Sequence, residues 1–144
     1  MRDLGRLLSH ASIAVVGGGA WCEAIISAAK QLGFQGRILP VHPKGKTIAG
    51  IEAVKSLADF PGPIDAAFIG VNRHATLDVV ADLKALNAGG AICFASGFSE
   101  AAAEDESGQD LQTQLVAAAG DMQILGPNCY GFLNALEGAG RWPD

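Results

Sequence analysis

Two stretches of this chain carry residue types that could do chemistry on an anion. The first, Gly17-Gly18-Gly19-Ala20-Trp21-Cys22, follows the apolar run "SIAVVG" and opens a helical pattern. In that context Gly17 permits a tight turn, and Gly19 lets backbone N–H groups at a helix N-terminus approach a pyrophosphate. The bland alternative is a plain tight turn. The third glycine of the dinucleotide fingerprint is replaced by Cys22, which is small and lies on the apolar stripe, so close packing of helix on sheet survives. The second stretch is "LGPNCYGFLNA", residues 125–135, with Gly126, Pro127, Asn128 and Gly131 around Cys129. A thiol nucleophile there needs a base, and His10, His42 and His74 fall on three different elements with no nucleophile signature. An anion-facing loop, with Pro127 setting the turn and Asn128 bonding the backbone, is the stronger reading; a purely structural bend is the other.

The second apolar run ends in Val41-His42-Pro43-Lys44. A dinucleotide site that takes NAD places an acid there, roughly 20 residues past the glycines, to bind ribose hydroxyls. A lysine in its place suits a ribose that carries a phosphate. NADP, with a 2'-phosphate, and coenzyme A, with a 3'-phosphate, both satisfy this, and a solvated turn at Lys44 and Lys46 satisfies it with no ligand.

These residues need a frame. Five unalternating apolar runs, "SIAVVG", "RILPV", "DAAFIGV", "GAICFAS" and "MQILG", read as strands buried on both faces of a parallel sheet. Helical patterns lie between them. Cys22, Ile25, Ile26, Ala29 and Leu32 share one face, with Gly33 as the left-handed stop; Thr76, Val79, Val80, Leu83 and Leu86 share another, ending at Gly89-Gly90. A third helix carries Leu111, Leu115 and Ala118 and stops at Gly120, and a shorter element around "IEAVKSLADF" closes at Pro61 and Pro63. The alternation predicts a Rossmann-like, doubly wound α/β fold of about five parallel strands in three α/β/α layers. Its ligand crevice lies at the C-terminal strand ends, where the loops 17–21, 42–46, 72–76, 96–100 and 127–131 all fall.

Composition sets the bounds. The 144 residues, 49% hydrophobic with 19 Gly, suffice for one domain and are too few for two ordinary ones. Residues 1–11 read as a leader to that domain. Three Cys with no CxxC or Cys/His spacing read as reduced thiols, so no metal site is expected. A net charge of -5 argues against nucleic acid as a partner, and the acids of "SEAAAEDESGQD", residues 99–110, read as a solvated helix start. No apolar stretch is long enough for a membrane span and no signal-peptide core is present, so a cytoplasmic location is expected.

"SIAVVGGG", "PVHPK", "ASGFSE" and "GPNCYGFLN", in that order and at those separations, resemble the CoA-binding domain of NDP-forming acyl-CoA synthetases, relatives of the succinyl-CoA synthetase alpha subunit. The resemblance runs from the leader to residue 134, and its most specific element is GPNCxGxxN. It implies that Gly17, Gly18, Gly19, Ala20 and Trp21 hold the phosphates of coenzyme A. Val41, Pro43 and Lys44 would take the phosphorylated ribose, and Val71 and Asn72 with Ser96, Gly97 and Phe98 would wall the adenosine and pantetheine. Gly126, Pro127, Asn128, Cys129 and Gly131 would form a phosphoryl-facing loop near the thiol end, with the N-terminus of a following helix aimed at a phosphorylated His of another domain.

That His phosphorylates the acid and CoA displaces the phosphate, so the isolated chain is expected to be inactive. ADP or ATP and Mg would belong to downstream synthetase domains or a partner subunit. The first loop is shorter than the family's glycine-serine loop, and "GRWPD" reads as the end of a domain cut from a longer protein. Trp21 would stack on adenine or cover the sheet edge, and His74 would sit on the surface at a helix start. A homo-oligomer is compatible with all of this. The rival readings are a non-catalytic CoA-sensing module, acetyltransferase-associated or stand-alone, and an NADP-dependent oxidoreductase domain, for which no hydride-transfer site is offered.

Overall fold

The computed structural model describes residues 4–95, 97–98, 107–129, 132–134 and 139–141. Strands β1 (Ser12–Val16), β2 (Arg37–Val41), β5 (Ala66–Ile69), β6 (Gly90–Cys93) and β7 (Gln123–Leu125) form one parallel sheet in the order β2-β1-β5-β6-β7. All five apolar runs are therefore strands. The three inner ones are buried along their whole length, which is why their sequences do not alternate.

A period of two still divides each run between two cores. Ile13, Val15, Phe68 and Ile92 face a cluster with Cys22, Ile25 and Ile26 of helix α2 (Ala20–Gln31). Ala14, Val16, Ala67, Ile69, Ala91 and Cys93 face a second cluster with Val80 and Leu83 of α3 (Arg73–Ala85) and Leu111 and Leu115 of α4 (Ser107–Ala119). The result is the expected three-layer, doubly wound architecture. Strand order reverses between β1 and β5, which places the topological switch point, and hence the crevice, at their C-terminal ends.

Three local expectations are corrected. Leu32 and Leu86 end their helical stripes yet are 44% and 42% exposed, because each is the residue at which the helix stops. The left-handed stop after α3 is Asn87, at φ 55°, and not Gly89-Gly90. Those two glycines serve close approach: a Cβ on Gly89 would lie 2.4 Å from the Asp65 carbonyl oxygen, and one on Gly90 2.9 Å from that of Gln123.

The stretch around "IEAVKSLADF" is not an α-helix. It holds a hairpin of β3 (Thr47–Ile48) and β4 (Ile51–Glu52), a bridge from Val54 to Val41, and a short 3-10 turn at Leu57–Asp59. The backbone explains the difference. Val54 N–H donates to Pro40 O and Val54 O accepts from His42 N–H, so this segment extends along the β2 edge. Among the described residues no helix is long and apolar enough to cross a membrane.

The leader belongs to the fold. Helix α1 (Gly5–Leu8) buries Leu7 completely and presents Arg6 to the N-terminal end of the sheet. The Arg6 guanidinium donates to Asp65 Oδ1 at 2.9 Å, to Asn87 O at 2.9 Å and to Ile64 O at 3.0 Å. Asp65 Oδ2 accepts from Ala11 N–H at 3.0 Å, while Ser12 Oγ accepts from Asp65 N–H and donates to Pro63 O. Burial raises the Asp65 pKa, but the Ala11 amide, Arg6 and Ser12 outweigh it and hold the carboxyl below its ordinary value.

A carboxylate whose pKa is lowered on folding stabilises the fold above its unfolded value, and the contribution disappears as pH falls through the folded one. Wild-type urea midpoints should therefore drop more steeply below about pH 4 than those of Asp65→Asn. At neutral pH that variant should be destabilised by on the order of 1 kcal/mol. Parallel pH profiles for the two proteins would show Asp65 to be idle.

Candidate functional site

Loops at the C-terminal strand ends meet in pairs. In the first, Gly17 has φ 127°, a conformation that favours glycine, and a Cβ on it would lie 2.6 Å from Gly70 O and 2.9 Å from Cys22 Sγ. Gly70, directly after β5, is equally tight, with Cys22 Sγ 2.8 Å from its Cβ position. The thiol thus sits in a notch cut from both central strands, 1% exposed, bonded to Val16 O at 3.7 Å. This is how a cysteine replaces the third glycine of the fingerprint.

Gly19 is the N-cap of α2, extended at φ -87° and ψ 179°, with no side-chain cap and nothing within 4 Å of its Cβ position. Cys22 and Glu23 N–H already donate to Gly19 O, and the Ala20 N–H lies at this N-terminus beside the crevice, where it can serve an anion. Trp21 is 42% exposed and packs on Phe94 beyond β6, with ring centroids 4.8 Å apart. It bridges the first loop to the fourth.

The second loop is built around His42. Its Nδ1 accepts from the Lys44 backbone N–H at 3.1 Å, its carbonyl from Gly45 N–H at 2.9 Å, and its ring lies where a Gly18 side chain would be, 2.7 Å from that Cβ position. Val41 is buried; Pro43, Lys44 and Lys46 are exposed. No acid ends β2, so the donor set of this corner is amide N–H, imidazole and ammonium, which suits a phosphate.

In the third loop Val71 is half-buried, and Asn72 Oδ1 caps α3 by accepting from Ala75 N–H at 2.9 Å. The polar side chain that crosses to the fourth loop is Arg73, whose Nη1 donates to Gly97 O at 2.7 Å. Gly97 has φ 89° and lies against that guanidinium. Phe98 is fully buried in the α3–α4 core, so only its backbone is left to border the crevice; Ser96 lies outside the described residues. His74 is exposed on the first turn of α3, as expected.

The fifth loop departs from expectation. Gly126 has φ 109°, its bond to Pro127 is cis, and Asn128 has φ 56°. Asn128 N–H donates to Ala95 O and Cys129 N–H to Cys93 O, folding the loop back on the end of β6. Among the described residues no helix follows Pro127. Strand β8 (Phe132–Asn134) comes next and pairs with β9 (Ala139–Arg141), so the expected helix N-terminus facing a phosphoryl group is replaced by backbone folded on β6 and a hairpin; Gly131 lies outside the described residues.

Cys129 is half-buried, whereas Cys93 is fully buried and its thiol is pushed up to about 12 by burial and then by the neighbouring Cys129. Burial likewise raises the Cys22 pKa. His10 is buried beside Phe34 at the opposite end of the sheet. Among the described residues no group of three His, Cys, Asp or Glu is arranged to hold a metal ion.

Sequence reading missed four residues that join these loops: His42, Gly70, Arg73 and Phe94. Gly70 carried a signal, a glycine ending the third apolar run; the other three are legible only once the strands are side by side.

The profile of the family described as "CoA binding domain" matches residues 11–135. The chain belongs to this family. It is 34% identical over 140 residues to a trans-feruloyl-CoA synthase from an unknown prokaryotic organism, covering 94% of this chain and 20% of that protein. It is 32% identical over 142 residues to an ADP-forming acetate–CoA ligase II of Archaeoglobus fulgidus, covering 94% and 21%. Among solved structures it resembles the apo form of a dinucleotide forming acetyl-coenzyme A synthetase 1 of Ca. Korarchaeum cryptofilum, with TM-score 0.84, 30% identity and coverage of 94% of this chain and 30% of that one. This CoA-binding domain thus spans about a fifth of the length of these two relatives.

Two outcomes follow from the packing. Gly17→Ala should destabilise by about 2 kcal/mol or more, through strain and through displacement of Cys22, whereas Gly19→Ala should cost at most about 1 kcal/mol as a weaker N-cap. Urea denaturation of the two variants makes the comparison, and equal losses would mean that the notch is not tight. In native protein at about pH 8, iodoacetamide should modify Cys129 well ahead of Cys22 and Cys93, because the thiolate is the reactive form and burial suppresses it. Peptide mass mapping reads the order, and early labelling of Cys93 would contradict it.

Proposed function

We propose that this chain holds coenzyme A across the C-terminal ends of β1, β2 and β5, as the CoA-binding part of a larger ADP-forming acyl-CoA synthetase. The observation that carries the reading is the uncapped N-terminus of α2 beside a β2 end that offers His42 and Lys44 in place of an acid. Gly17, Gly18, Gly19, Ala20 and Trp21 take the diphosphate, and Lys44 with Val41 and Pro43 takes the phosphorylated ribose. Val71, Asn72 and the backbone of Gly97 and Phe98 line the remainder. Residues 126–129 border the thiol end through backbone groups, where an acyl phosphate made elsewhere in the assembly would be attacked. The relatives' names support the synthetase context, since they are CoA synthases and ADP-forming CoA ligases.

In this division of labour the chain positions CoA, and the phosphorylated His, the nucleotide and Mg belong to downstream domains or a partner subunit. Residues 1–144 act as a single domain, the N-terminal part of the whole.

Calorimetric titration should show CoA bound in preference to NAD. Dephospho-CoA should bind more weakly by about 1.5–3 kcal/mol, the range of a charge-assisted contact to phosphate, and Lys44→Ala should remove most of that difference. Wild-type protein that bound CoA and NAD alike would sink the reading, and one that bound CoA and dephospho-CoA alike would sink the role of Lys44.

A further inference from the structure

His42 stands where the glycine loop and the β2 loop meet. Because Nδ1 accepts from the Lys44 backbone N–H, the neutral ring must carry its proton on Nε2. That nitrogen lies 3.0 Å from the Gly18 Cβ position, and among the described residues it has no hydrogen-bond partner. The ring is half-buried, with its single donor, Nε2–H, at the seam between the two loops. The residue that ends the second strand of an open α/β sheet is the one that meets the ribose of a bound nucleotide. Here that residue presents an N–H, which a phosphate accepts and a second donor would not.

We propose that His42 Nε2–H donates to the 3'-phosphate on the ribose of CoA, sharing it with Lys44, and that Gly18 is glycine because this ring occupies its side-chain space. The inference rests on the reading of the crevice as a CoA site and adds a specificity-determining residue to it. The two nitrogens have separate tasks. Nδ1 shapes the loop by holding the Lys44 backbone, which sets where the Lys44 ammonium can reach; Nε2 touches the ligand.

Two variants separate these tasks. In His42→Asn the amide oxygen falls near the place of Nδ1 and keeps the bond to Lys44 N–H, while the donor at the Nε2 position is lost. In His42→Gln the amide nitrogen falls near Nε2 and keeps that donor. Titrations with CoA and dephospho-CoA should show His42→Asn losing roughly tenfold in CoA affinity with dephospho-CoA binding little changed, and His42→Gln, which keeps the donor but not the brace on Lys44, losing less CoA affinity than His42→Asn.

An unchanged CoA affinity in His42→Asn, or equal losses for both ligands, overturns the proposal while the CoA reading stands. Wild-type protein that fails to bind CoA overturns both. As a check independent of folding in the variants, nitrogen-15 NMR of the wild-type ring should show Nε2 keeping its proton and shifting on addition of CoA. Dephospho-CoA should produce a much smaller shift, and an identical response to the two ligands would again remove His42 from the phosphate.

Discussion

The contact on which this site depends is the seating of one sulfur atom between two glycines. Gly17 and Gly70 end the two strands on either side of the switch point, and the Cys22 thiol fills the space their side chains would need. That fit sets how closely α2 approaches the sheet and therefore the height of its first N–H groups above the strand ends. A bulkier residue at any of the three positions would lift the helix and shift its N-terminus relative to Lys44. Packing at this point is thus already a statement about binding geometry.

The two ends of the sheet carry different duties. At the N-terminal end Arg6, Ala11, Ser12, Pro63, Ile64, Asp65 and Asn87 exchange hydrogen bonds among themselves. Polar groups there face one another. At the C-terminal end the bonds fix loop shape, as with Lys44 N–H to His42, Ala75 N–H to Asn72 and Arg73 to Gly97 O, and they leave Lys44 exposed together with the N-terminus of α2. A site for a charged ligand requires such an asymmetry, since donors already satisfied within the protein have nothing left to offer.

Much of this was legible in sequence for a physical reason: strands buried on both faces must be continuously apolar, and all five such runs are strands. The helix faces were legible as well, from Cys22 to Ala29 and from Thr76 to Leu83. What failed was local and set by tertiary context. Val54, Leu57 and Phe60 have helix-like spacing, but the free edge of β2 draws Val54 into a bridge. Leu86 continues a stripe beyond the point where Asn87 turns the chain. A helix was expected after the turn set by Pro127, yet Asn128 gives its N–H to Ala95 O and Cys129 to Cys93 O, which commits the backbone to the end of β6 and the residues just past it. Phe98, read as a ligand wall, is core because α4 covers it. The candidate site was legible as a set of loops, whereas His42, which packs against Gly18 and accepts from Lys44 N–H, was passed over beside the more conspicuous Lys44.

The leader's anchoring has a consequence for the order in which the chain can assemble. Arg6 and Asp65 are 59 residues apart in sequence, so closing that contact alone would carry the entropy of a long loop. Pairing of β1 with β5 already brings Ile13 beside Ala66. Once that pairing has formed, α1 need close only the few residues between Arg6 and Ser12, so its contacts add stability at little further loss of chain entropy. The leader therefore folds as a dependent of the β1–β5 seam, the same seam whose other end holds Gly17 and Gly70, and loosening either end of it frees both.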